Sequence, residues 1–125
     1  MDINNRIDEI FDELVEIRRD FHKNPELSQN EFRTQGKIRE YLNKWGIENH
    51  ICAETGVVGI IRGKRPGKTI GIRGDIDALP ILEQSKASYC SVNPGVMHAC
   101  GHDAHTTVVL GAGKIIKELA DSEES

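Results

Sequence analysis

Apolar residues recur every three or four positions through the first part of the chain, at Ile3, Ile7, Ile10, Phe11, Leu14, Ile17 and Phe21, with charged residues between them. That period predicts an amphipathic helix over 3–21, with one face turned to a core and the other to water. Pro25 disfavours helix at Asn24, and Ser28 with Glu31 three positions later has the form of a capping box. A second helix is therefore predicted from about Gln29 to Lys44. Its apolar face is Phe32, Ile38, Tyr41, Leu42 and Trp45, and Gly46 is the candidate C-terminal cap.

After Gly46 the pattern changes. The segments "IENHICAE", "VVGIIRG" and "TIGIRGDID" are short, rich in β-branched residues and separated by glycine or proline, as strands are. The turn "GKRPGK" between the second and third reads as a hairpin loop. A polar connection follows from about Glu83 to Gly95. Helical spacing then returns through Val108, Val109, Ala112, Ile115, Ile116 and Leu119, in a helix expected to start near Asp103, with Asp103 as its side-chain cap. The acidic tail "DSEES" closes the chain. The order of two helices, three strands and a helix predicts an α/β layered domain, with helices covering a mixed sheet and no internal repeat.

The composition narrows the functional classes. With 125 residues, 38% hydrophobic and 29% charged, the chain has the balance of one globular unit. Its net charge of -4 is spread along the sequence, which argues against nucleic acid and anionic membrane as partners. No apolar run is long enough to span a bilayer, and the acidic N-terminus lacks the form of a signal peptide, so a cytoplasmic protein is expected. Three cysteines, Cys52, Cys90 and Cys100, form no CxxC pair and are expected to stay reduced, with Cys52 and Cys90 structural.

Two stretches could carry chemistry. In "RGDIDALP", residues 73–80, Asp75 and Asp77 are spaced i, i+2 at the end of a predicted strand, so both point to one face and Ile76 to the other. The competing reading is a turn cap, or a pairing with Arg73. In "MHACGHDAH", residues 97–105, Cys100 and His102 can converge on one ion from a tight loop that Gly101 allows to bend. The pair suits zinc, manganese, cobalt or nickel. Three readings stay open from these residues alone: a metal site, a structural histidine cluster, or a cysteine nucleophile or redox centre. Further ligands would have to come from Asp75, Asp77, His98, His105 or residues outside the chain.

Together "RRDFHKNPELSQNEFRT", "GVVGIIRG", "GKTIGIRGDIDALPILE" and "VMHACGHDAHTTVVLGAGKIIKEL" resemble the N-terminal part of the M20 metallopeptidase family, over roughly residues 10–120. The branch they resemble acts on N-acyl amino acids: hippurate hydrolase, N-acetyldiaminopimelate deacetylase, aminoacylase-like and indole-acetyl-amino-acid hydrolases. The resemblance implies a partial three-layer α/β/α zinc-peptidase-like catalytic domain over 1–125, without the smaller dimerisation or lid domain. It implies that Cys100 and His102 are ligands of a centre of two divalent metals, and that Asp77 is the family's catalytic aspartate. Asp75 stands where the wider family has a ligand histidine and is not assigned as a ligand. His22, Pro25 and Glu26 match a recurring "RRxxHxxPE" pattern with a structural role. His98 and His105 are left as supporting or structural residues.

By the same resemblance, a glutamate pair and two further histidine ligands lie beyond these residues. The expectation is therefore the N-terminal portion of a metal-dependent amidohydrolase, inactive alone, with a complementing C-terminal chain as partner and a homodimer in complete members. The alternative is a non-catalytic metal-binding or interaction remnant. A thiol-redox protein is a third reading.

Overall fold

The computed structural model describes residues 1–122; positions 123–125 of the acidic tail lie outside the described residues. Helix α1 spans Ile3–Lys23, two residues longer than predicted. Asp2 caps its start by accepting from the Asn5 amide, and Asn24, just before Pro25, ends it. Only part of the expected apolar face is covered. Ile10, Ile17, Phe21 and His22 are buried, whereas Ile3, Ile7 and Phe11 are exposed. At that end α1 meets the C-terminal helix through an ion pair, Arg6 donating to Glu118 at 2.7 and 2.8 Å, rather than through apolar side chains. The pair lowers the Glu118 pKa, chiefly by the Arg6 hydrogen bond.

Helix α2 runs Phe32–Lys44, and its start corrects the predicted capping box. Glu31 sits at the N-cap but makes no capping bond; its buried carboxylate accepts instead from the Thr55 hydroxyl at 2.6 Å. The cap comes from further back, from Glu26. Its carboxylate accepts from the Thr34 amide (2.6 Å), the Thr34 hydroxyl (2.7 Å) and the Arg33 amide (3.1 Å). Ser28 plays no part, because Gln29 takes a left-handed φ of 74° that turns the chain between Ser28 and the helix. Replacing Glu26 with alanine is expected to cost about 0.5–2 kcal/mol, as lost caps do, and a urea denaturation series comparing Glu26→Ala with Ser28→Ala checks it: Ser28→Ala should be near neutral.

Phe32, expected in the core, is exposed, while Thr34, Gln35, Ile38 and Leu42 are buried. The C-terminal prediction stands. Gly46, at φ 70°, donates to Asn43 O and Ile47 donates to Leu42 O, the two bonds of a Schellman motif.

Strands β1 (Glu48–Cys52) and β2 (Gly56–Ile60) form an antiparallel hairpin with Cys52 opposite Gly56. Ala53 and Glu54 turn it through left-handed φ values of 51° and 65°. A Cβ at residue 56 would stand 2.8 Å from Cys52 O, which is why glycine occupies that position. Gln35 of α2 holds the turn by donating to the carbonyls of Glu54 (2.7 Å) and Gly56 (3.1 Å).

The predicted third strand, "TIGIRGDID", joins no ladder, so "GKRPGK" is not a hairpin turn. Its β-branched residues favour an extended chain, but a strand also needs a neighbouring edge to bond to, and Ile70 is 85% exposed. The sheet is accordingly a two-stranded antiparallel one rather than mixed. Pairing resumes only at single bridges, Ala78 parallel with Leu27 and Leu79 antiparallel with Met97. These bridges fix the exit of the "RGDIDALP" segment.

Helix α3 spans His102–Asp121 and packs along α1. The core lies between the helices and the hairpin: Ile17, Phe21, Ile38, Leu42, Ile47 and Leu110, with Tyr41, Trp45, Val57 and Ile76 against it. Gly111 lets α1 approach, since a Cβ there would come 3.0 Å from Leu14. The three helices and small sheet make an α/β arrangement with an unusually open surface. The accessible area is 7985 Å², against about 6,700 Å² expected for a self-contained protein of this mass.

Candidate metal-binding turn and its buried neighbours

Two elements meet at the site: the exit of the extended segment 69–77 and the first turn of α3. The i, i+2 reading holds. Asp75 and Asp77 both reach His102, while Ile76 packs against the core on the other side. Nδ1 of His102 lies 2.9 Å from Asp77 Oδ1 and 3.0 Å from the Asp77 carbonyl oxygen. Both oxygens can only accept, so Nδ1 carries the hydrogen and, in the neutral ring, Nε2 keeps its lone pair. This is the arrangement in which a carboxylate orients a metal-binding imidazole. Asp75 Oδ2 is 3.9 Å from Nε2, and its other oxygen accepts from Arg73 at 2.7 Å. Thr106 fixes the same segment by donating to Asp75 O at 3.0 Å.

Cys100 is a free, exposed thiol two positions before His102. Gly101 between them has φ 86°, the left-handed conformation that lets the turn reverse into α3. A soft thiolate and an imidazole with a free Nε2 fit a divalent transition metal. Among the described residues, no three His, Cys, Asp or Glu side chains are arranged to hold an ion by themselves. His105 is exposed, with its ring 5.7 Å from that of His102.

Asp103 is not the cap of α3. The N-cap is Gly101, without a side-chain bond, and Asp103 lies in the first turn with its side chain fully buried. Its Oδ2 accepts from Arg18 Nε and His22 Nδ1, both at 2.8 Å. Two partners more than 80 positions away in sequence take this carboxylate in place of the local amides. On its far side His22 Nε2 is 3.1 Å from both oxygens of Glu83. Burial works to raise the Glu83 pKa, but bonds from Ser85, the Ser91 amide and His22 outweigh it, and the net shift is downward. Tyr89 packs edge-on to the His22 ring and stacks beneath Arg19. His98 is buried, and neither ring nitrogen has a hydrogen-bond partner among the described residues. Burial lowers its pKa, opposed by the charge of Asp103.

The structure thus brings Asp75, Asp77 and His102 together and pairs Asp75 with Arg73; sequence reasoning did not single out Arg18 or Glu83, and it gave Asp103 the role of a cap that the structure does not show. The available signal for Asp103 was its helical register with Thr107, Leu110 and Gly111, which places it on the face that α3 buries.

Residues 71–125 match the sequence profile of peptidase family M20/M25/M40. The chain also superposes on a dinuclear metal-binding peptidase of the M20 family from Bacillus subtilis with a TM-score of 0.88 at 39% identity, covering 94% of this chain and 34% of that one. In sequence and in fold the chain is similar to the M20 family. It is 45% identical over 121 residues to thermostable carboxypeptidase 2 of Saccharolobus solfataricus, covering 95% of this chain and 31% of the relative. It is 41% identical over 121 residues to the N-acyl-L-amino acid amidohydrolase of Geobacillus stearothermophilus, covering 96% of this chain and 33% of the relative. The chain therefore spans about a third of the length of these M20 relatives. The likeness accounts for the partial α/β peptidase fold. No helix among the described residues is long and apolar enough to cross a membrane.

Proposed function

We propose that this chain is the N-terminal part, over 1–125, of the catalytic domain of a metal-dependent hydrolase that cleaves the amide bond of N-acyl amino acids, working in the cytoplasm. Cys100 and His102 are its contribution to a centre of two divalent metals, and Asp77 is the residue that sets His102. The observation that carries this reading is the Asp77–His102 bond, which fixes the ring and leaves Nε2 free beside the Cys100 turn. The names of the relatives support the substrate class, since one is an amidohydrolase of N-acyl-L-amino acids and another a carboxypeptidase, both hydrolases of C–N bonds.

A bound divalent metal would supply Lewis-acid polarisation of the scissile carbonyl and a lowered pKa for water. Of the chain's own residues, Cys100 and His102 Nε2 would hold the metal, and Asp77 accepts the Nδ1 hydrogen of His102. With two ligand residues and no assigned general base, the 125 residues alone are not expected to turn over substrate. The general base, the remaining ligands and the smaller lid or dimerisation domain are expected from a complementing C-terminal segment. The free state of all three cysteines agrees with a reducing compartment.

Isothermal titration with zinc, cobalt and manganese on the wild-type chain, Cys100→Ala and His102→Ala tests the metal reading. Binding lost in both variants is the expected result. Binding that persists in both would remove Cys100 and His102 from the site. The same protein incubated with acetyl- and benzoyl-amino acids should show no hydrolysis.

A further inference from the structure

We propose that the cluster of Arg18, His22, Glu83 and Asp103 is a positioning device for the metal-binding turn, in which His22 acts through Asp103 to hold His102. The inference rests on the metal-site reading above. Asp103 follows His102 directly in the first turn of α3, and its side chain is fully buried. One of its oxygens receives both Arg18 and His22, and His22 is held from the other side by Glu83. Glu83 is in turn tied to the 83–95 connection through the Ser91 amide at 2.8 Å and the Ser85 hydroxyl.

Both His22 contacts are made at once only by a ring carrying a hydrogen on each nitrogen. With Arg18 that gives two positive groups facing two carboxylates, with the Arg18 side chain about a third exposed (35%) and Asp103 Oδ1 buried without a partner among the described residues. Such a network is a poor way to gain stability, because desolvating the charges offsets most of their attraction, but its directional bonds select one arrangement of the chain. Here the arrangement selected is the position of α1 and of the 83–91 loop against the backbone of residue 103. Asp103 and His102 are consecutive in the chain, and the buried His98 ring feels the charges of Asp103, His22, His102 and Asp77 alike. The clamp and the turn are therefore contiguous, and a shift in Asp103 is passed to His102 through one peptide unit.

Cobalt(II) binding to the 125-residue chain tests this, followed by the thiolate-to-cobalt absorption in the near ultraviolet. His22→Gln should weaken cobalt affinity roughly 10–100-fold, the range for residues that orient ligands. In the metal-free protein, ¹⁵N shifts of His102 should change from a single Nδ1–H tautomer to a mixture. Ile38→Val, a core truncation on α2 rather than on the helix that carries Arg18 and His22, should leave affinity and tautomer as in wild type; if it weakens binding as much as His22→Gln does, the effect is general loosening and the proposal falls. Should His22→Gln not fold, Glu83→Gln, which keeps the shape and removes one charge, carries the same expectation. Wild type that shows the cobalt band, with affinity and tautomer unchanged in both network variants, overturns the clamp alone. Absence of the band in wild type overturns the metal reading, and the clamp with it.

Discussion

Replacing Phe21 with alanine is expected to lower the free energy of unfolding by about 3–5 kcal/mol, the range for large-to-small changes at a fully packed aromatic site. Phe21 is 1% exposed, stands at the centre of the cluster formed by Ile17, Ile38, Leu42, Ile47 and Leu110, and meets Tyr41 edge to face at 6.4 Å. It also joins α1 to Tyr41 of α2 within a cluster drawn from several elements, so the cavity left behind has several walls and cannot close by the movement of one element. Since small domains are stable by only about 5–15 kcal/mol, this single change should consume a large share of the total. Phe21→Leu, which keeps most of the volume, should lose much less. Urea unfolding followed by circular dichroism gives both values; a loss under about 1 kcal/mol for the alanine variant would mean that the core is organised elsewhere.

Asp77→Ala is expected to weaken divalent-metal binding roughly 10–100-fold while leaving the unfolding midpoint almost unchanged. The side chain of Asp77 is a third exposed, so little packing is lost with it. What disappears is the oxygen that holds the hydrogen on His102 Nδ1, and the ring becomes free to swap tautomers and rotate. Asp77→Asn keeps an acceptor in place and should fall between wild type and alanine. Calorimetric titration of the three proteins with zinc decides the order, and equal affinities would end the orienting role given to Asp77.

The parts of this structure that sequence made legible are those whose causes are local. Helical period needs only neighbours three and four positions away, so α1 and α3 were placed to within two residues, and the Schellman turn at Gly46 announced itself by its glycine. Cys100, Gly101, His102 and the two aspartates were visible because each motif is contiguous.

The failures all involve distant partners. Glu26 rather than Ser28 caps α2 because the loop at Gln29 folds back on the helix start. Segment 69–77 has the residues of a strand but no edge to pair with. Asp103 looked like a cap because nothing near it in sequence reveals Arg18 and His22, 85 and 81 positions away. For the same reason a pattern such as "RRxxHxxPE" told which residues recur and not what His22 touches.

The pairing of α1 with α3 has a consequence for the order of events on the ribosome. Arg6 and Glu118 are 112 residues apart, and the contacts that cover α1 reach to the last turns of α3. Closing a loop of that length costs about 4 kcal/mol in chain entropy beyond a constant, and nothing offsets it until α3 has been made. The first hundred residues therefore emerge with the side of α1 that packs on α3, Leu14 included, uncovered, so translation speed and chaperone supply should affect the yield of soluble chain as well as its final stability does.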